Sequence, residues 1–163
     1  MKTSKDAPLL FADDDENDTY FFQLALEKAD VLNPLLTFAD GQLLINYLRR
    51  PDRVCPSLLV LDLKMPRVSG FDVLQWIRAR PGLGNFPVVV LSASQQETDL
   101  KKAFELGATD YKVKPPDPAG LAAFVAELCE RWLTTGTVLA QMEHHAAEKC
   151  TGRPFHHRPP SRF

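Results

Sequence analysis

An open, doubly wound α/β fold on a five-stranded parallel sheet is predicted by three observations. Short apolar runs of branched residues recur along the chain, segments with helical spacing separate them, and each run ends in a polar residue followed by loop-forming chemistry. Runs that are apolar at every position, rather than at alternate positions, suit strands buried on both faces, as in parallel sheets. Right-handed crossovers then place helices on both sides.

The elements follow in order. The first strand is read at PLLFA (8–12), and Phe21, Leu24 and Ala25 mark the helix after it. A weaker strand, PLLTFA (34–39), precedes a helix carrying Leu43, Leu44, Tyr47 and Leu48. The third strand is LLVL (58–61); Ser69 with Asp72 three positions later resembles a capping box that starts a helix bearing Phe71, Leu74 and Ile77. The fourth strand, VVVL (88–91), leads to Leu100, Ala103 and Phe104, and Gly107 stands where a left-handed helix end is wanted. The fifth strand is TDYKV (109–113). Asp117 before Pro118 supplies an N-cap and a first-turn proline for a last helix with Leu121, Val125, Leu128 and Trp132 on one stripe. That stripe either packs on the sheet or offers a homodimer face.

The chain has 163 residues, 45% of them hydrophobic, which suits one compact domain, expected over 1–133. A C-terminal tail, flexible or partly helical, is expected over 134–163, where TGRPFHHRPPSRF is too rich in Pro, Arg and His for a core. Residues 1–133 carry 15 basic and 19 acidic side chains, a net of −4, whereas the tail carries 4 and 2, a net of +2. Overall charge therefore gives no basic footprint for nucleic acid, and no helix-turn-helix pattern follows the domain. Cys55, Cys129 and Cys150 are widely spaced with no CxxC, which points to neither a disulfide framework nor a zinc site. His144, His145, His156 and His157 offer metal donors without a scaffold. No apolar stretch approaches a membrane span and no signal peptide is read, so a cytoplasmic location is expected.

In open α/β sheets, ligands bind outside the carboxyl ends of the strands. Those ends carry Asp13, Asp14 and Asp15, then Asp62, then Ser92 and Ala93, then Lys114 and Pro115. Taken singly, each has an ordinary reading: helix-start acids, a loop aspartate, a turn serine, an exposed lysine. Taken together, four strands place compatible groups on one rim. Converging carboxylates repel unless a cation sits among them. An all-oxygen set without His or Cys suits Mg²⁺, and Lys114 adds a point charge suited to a phosphoryl group.

The pattern LLFADDDEND, LLVLDLKMPRVSGFDVL, VVVLSAS and GATDYKVKP, in this order and spacing, resembles the receiver domain of two-component response regulators over about residues 7–133. The resemblance implies a flavodoxin-like sheet in the order 2-1-3-4-5 and Asp62 as phosphate acceptor. It implies Asp13 and Asp14 as the acidic pocket for Mg²⁺, Asp14 as the more direct ligand, together with Asp62 and the backbone carbonyl of Lys64. Ser92 and the Ala93 amide would bind the phosphoryl group, Lys114 would pair with it, and Tyr111 matches the aromatic that changes rotamer on activation. A cis Lys114–Pro115 bond is also implied. The phosphoryl donor would be a sensor histidine kinase or hybrid kinase, and the output a downstream protein target or a phosphorelay.

Three positions depart from the common pattern or belong to its variable pair. Lys64, two residues beyond Asp62, either reaches the mouth of the site or is solvated; Ser94 belongs to the same variable pair; Pro116 replaces a more usual large apolar residue. The wording NPLLTFADGQLLINYL and ELCERWL further resembles chemotaxis-regulator-like stand-alone receivers paired with phytochrome-type or hybrid kinases. An aspartate-nucleophile phosphatase of the haloacid dehalogenase class is a poorer reading, because Lys64 stands where its second acid belongs. A nucleotide switch lacks its phosphate loop. The remaining alternative is a receiver-like interaction module that is never phosphorylated.

Overall fold

The computed structural model describes residues 5–83 and 85–136. Five strands, β1 (Leu9–Ala12), β2 (Leu35–Phe38), β3 (Leu58–Leu61), β4 (Val88–Ser92) and β5 (Asp110–Val113), alternate with α1 (Glu16–Lys28), α2 (Gly41–Leu48), α3 (Gly70–Arg78), α4 (Glu97–Glu105) and α5 (Pro118–Arg131). The strands are parallel throughout, in the order β2-β1-β3-β4-β5, as the resemblance implied. Every residue of β1, β3 and β4 is buried, which is why these runs read as uniformly apolar.

Successive side chains of a strand point to opposite faces, and the core divides accordingly. Leu10, Ala12, Leu59, Leu61, Val88 and Val90 pack under α2, α3 and Ala103 of α4. Leu9, Phe11, Leu58, Val60, Val89 and Leu91 pack under α1 and α5. On the second face Phe11 stacks on Phe22 with ring centroids 4.2 Å apart.

The expected helix boundaries coincide with the observed caps. Ser69 and Asp72 form a reciprocal capping box, and Asp117 accepts a hydrogen bond from the Gly120 amide with Pro118 in the first turn. Gly107 follows α4 at φ 97°, a left-handed conformation that favours glycine. Helix faces were less legible than helix ends. In α1 the buried residues are Phe22 and Leu26, while Phe21, expected on the inner stripe, is 48% exposed. Leu43, Leu100 and Phe104 also lie outward. Adjacent apolar residues leave the stripe ambiguous by one position, about 100° of rotation, and only packing against the sheet selects between them. Trp132 packs against the α1/α5 core cluster.

The chain stays attached beyond α5. The Thr134 amide donates to Asn33 Oδ1 at 2.7 Å, the Leu32 amide donates to the Thr134 carbonyl at 2.8 Å, and Thr135 forms an antiparallel bridge with Val31. The expected tail began at 134; its first three residues are thus held against the α1–β2 connection, and 137–163, with the four histidines and Cys150, lie outside the described residues. Among the described residues, Cys55 is a free thiol, and no helix is long and apolar enough to cross a membrane. The implied cis Lys114–Pro115 bond is not found: no described peptide is cis, trans being the preferred state even before proline.

Candidate functional site

Strand register assembles the site. From β1 the chain leaves toward β2 on one side, whereas β3 lies on the other, so a crevice opens between the carboxyl ends of β1 and β3. Ala12 is paired with Leu61, which sets Asp13 and Asp62, each one residue further on, side by side. Leu61 is paired with Val90, and Ser92 with Val113, so Ser92 and Lys114 join the same rim. Backbone hydrogen bonds continue the ladder past the strands: the Asp13 amide donates to Phe38, Asp62 to Ala12 and Lys114 to Ser92.

The carboxylates are close and largely dehydrated. Oxygens of Asp13, Asp14 and Asp62 lie within 4.8 Å of one another. Asp13 is 4% exposed and Asp62 5%, while Asp14 faces solvent. Lys114 Nζ lies 2.8 Å from Asp13 Oδ2, 2.8 Å from Asp18 Oδ2 and 3.5 Å from Asp62 Oδ2. Asp13 Oδ1 accepts the Asp15 amide at 3.0 Å. Its buried Oδ2 meets the ammonium as an ion pair, without the alignment of a hydrogen bond.

Burial dominates the electrostatics. It pushes the Asp62 carboxyl up to about 6, against the pull of the Lys114 charge; Asp13 adds to the rise, and the Lys64 and Leu63 amides oppose it. Burial also raises Asp13, against its contacts with Lys114 and the Asp15 amide. At Lys114 burial works toward neutralisation, but the close contacts with Asp13 and Asp18 and the charges of Asp13 and Asp62 outweigh it, and the ammonium is held above its ordinary range. Two desolvated carboxylates beside an exposed third, with only one lysine among them, fit a divalent cation: the donors are all oxygen, and a buried one lacks an aligned donor.

The other residues expected at the site stand as follows around this cluster. Ser92 is fully buried, and its Oγ accepts the Ser94 amide at 3.2 Å. Ala93 is exposed at the rim. The Lys64 amide approaches Asp62 Oδ1 at 3.5 Å, and its side chain is solvent-exposed. Tyr111 is 8% exposed, and its hydroxyl donates to the Ser94 carbonyl at 2.9 Å. Ser94 is therefore tied four ways, because its own hydroxyl donates to Asp99 at 2.5 Å and accepts the Gln96 amide at 3.3 Å.

Sequence reasoning missed two contributors. Nothing local separates Asp18 from Glu16, another acid in the first turn of α1; the contact of Asp18 with Lys114 spans 96 positions. Gly70 begins α3 directly against Asp62: a Cβ there would lie 2.2 Å from the Asp62 carbonyl oxygen. The available signal was a glycine just after a serine cap, where a better helix former costs nothing locally.

The chain is similar in sequence and in structure to known response regulators. The chain is 30% identical over 128 residues to the probable methanogenesis regulatory protein FilR2 of Methanothrix harundinacea, covering 77% of this chain and 83% of that one. It is 29% identical over 136 residues to the response regulator Rcp1 of Synechocystis sp., covering 81% and 92%. The crystal structure of the Mn²⁺-bound form of Rcp1 superposes with a TM-score of 0.72 at 28% identity, covering 79% of this chain and 96% of that one. The phosphorylated cyanobacterial phytochrome response regulator RcpA gives a TM-score of 0.72 at 30% identity, with coverage of 78% and 94%. Residues 9–126 match the response regulator receiver domain. With that span covering most of the chain, all five strands and every helix but the end of α5, the protein belongs to the response regulator receiver domain family of two-component signalling.

Proposed function

We propose that Asp62 accepts a phosphoryl group from the phosphohistidine of a sensor histidine kinase or hybrid kinase in the cytoplasm, and that this switches a surface read by a downstream protein. The observation that carries the proposal is the placement of a buried Asp62 carboxylate within 4.8 Å of two further acids and 3.5 Å from an ammonium. A carboxylate oxygen of Asp62 forms the new bond to phosphorus, the N–P bond of the donor breaks, and its electron pair remains on the imidazole. Attack on an anion by an anion requires charge neutralisation more than covalent help. Bound Mg²⁺, held by Asp13, Asp14, Asp62 and the Lys64 carbonyl, would supply part of that neutralisation. Lys114, 3.5 Å from Asp62, supplies the rest. Ser92 and the Ala93 amide donate hydrogen bonds to the incoming oxygens.

Signalling follows from the contacts these residues already make. When Ser92 Oγ turns to the phosphoryl group, the Ser94 amide loses its acceptor, and the loop that also holds the Tyr111 hydroxyl is free to shift. Tyr111 then repacks, a population shift biased by the contacts that differ between the two states. The chain acts only on itself, in its own phosphorylation and dephosphorylation.

Incubation with Mg²⁺ and acetyl phosphate should add one phosphoryl mass to the intact protein. Asp62→Asn should add none. Equal labelling of that variant would move the acceptor elsewhere, and no labelling of the native chain would return the reading to an inert interaction module.

A further inference from the structure

Asp18 is not needed to start α1, yet it makes one of the two shortest contacts to the site lysine. Asp15 is the helix cap, accepting hydrogen bonds from the Asn17 and Asp18 amides, so the Asp18 side chain is released from that task. It reaches instead across to β5, where its Oδ2 lies 2.8 Å from Lys114 Nζ. An ammonium has three protons to donate. Here Asp13 and Asp18 hold it at 2.8 Å, and Asp62 stands back at 3.5 Å. Asp18 and Lys114 together line a cavity of about 290 Å³ with Phe21, Pro115 and Pro116, so the ammonium has open space beside it and is placed by its ion partners.

We infer that Asp18 is a positioning residue that draws Lys114 back from Asp62 and competes with the phosphoryl group for it. The inference rests on the phosphoryl-acceptor reading of Asp62. Of the two close partners, Asp13 belongs to the carboxylate cluster suited to a cation, where a bound metal would share its charge. Asp18 lies outside that cluster and keeps its full claim on the lysine. A phosphoryl group on Asp62 therefore draws on an ammonium that Asp18 holds away from it. Removing the Asp18 charge should favour the phosphorylated state.

Beryllofluoride, a phosphoryl mimic, tests this by calorimetric titration at saturating Mg²⁺. Asp18→Asn should tighten beryllofluoride binding about three- to fivefold, the scale of one partly shielded ion pair. Glu16→Gln removes an exposed acid from the same helix turn that makes no contact with Lys114, and it should leave the affinity within about 1.5-fold if contact rather than net charge is responsible. Unchanged or weaker binding by Asp18→Asn, or equal tightening in both variants, would overturn the inference while leaving Asp62 as acceptor. Failure of the native chain to bind beryllofluoride at all would overturn the acceptor reading and this inference with it. An unfolding midpoint of Asp18→Asn close to that of the native chain shows that the cap at Asp15 is intact.

Discussion

The desolvated carboxylate at Asp62 should weaken the metal-free fold, and Asp62→Asn should stabilise it. Asp62 is 5% exposed, so little solvent screening reduces the effect. Its pKa rises from 3.8 to about 6, a shift worth about 3 kcal/mol. The folded state holds the Asp62 proton more tightly than the unfolded chain does. Stability from this group is thus fully present below pH 3.8, declines as pH rises through about 6, and is absent above. An asparagine carries no charge to desolvate but still buries a polar amide, which leaves a net gain of about 2 kcal/mol at pH 8, or a rise in melting temperature of about 5–10 °C.

The assay is urea unfolding of both proteins with EDTA at pH 8 and at pH 4, read as the difference between them. Other carboxylates titrate over the same range, but they are common to both proteins and cancel. The variant should lead by about 2 kcal/mol at pH 8 and by less than about 0.5 kcal/mol at pH 4. Saturating Mg²⁺ should then narrow or reverse the lead, since a ligand present at a hundred times its Kd stabilises by about 2.7 kcal/mol and the variant has one carboxylate fewer to bind it. A variant no more stable than the native chain at pH 8 would refute the argument. So would a lead of equal size at both pH values, which would mean repacking rather than charge.

Gly70→Ala should cost about 2–3 kcal/mol in urea unfolding, because the added methyl meets backbone rather than a movable side chain, at 2.2 Å from the Asp62 carbonyl oxygen; acetyl phosphate labelling should slow with it. Truncation after Leu133 should be less stable than truncation after Gly136 by about 0.5–1.5 kcal/mol, since only the shorter chain removes the Thr134 amide that donates to the buried Asn33 Oδ1; equal midpoints would show that this attachment contributes nothing.

The strand-end residues were legible because the apolar runs fix them. Once Leu9–Ala12 and Leu58–Leu61 are neighbouring parallel strands, each followed at once by an aspartate, in-step pairing makes Asp13 and Asp62 neighbours. A slip by one residue would exchange which side chains face each helical layer. The same logic carries Ser92 and Lys114 through the pairing of Ser92 with Val113. Helix faces and the partners of Lys114 were not legible for a common reason. Neither is decided by local pattern: Phe21 and Phe22 are adjacent aromatics, and only contact with Phe11 selects one, while a lysine stem long enough to reach Asp13, Asp18 or Asp62 is placed by distances that sequence does not hold.

The frame and the site are linked energetically as well as geometrically. All four residues of β3 are fully buried, and each large apolar side chain so buried contributes about 1.5–3 kcal/mol. Against that, about 3 kcal/mol of desolvation at Asp62 is an affordable local cost that the strand before it more than offsets. The imbalance has a functional consequence. Because apolar packing rather than a tight Asp62–Lys114 pair holds the strand ends, with that contact at 3.5 Å, the carboxylate remains incompletely neutralised. A cation and a phosphoryl group can then be accepted at the rim without dismantling an interaction on which the fold depends.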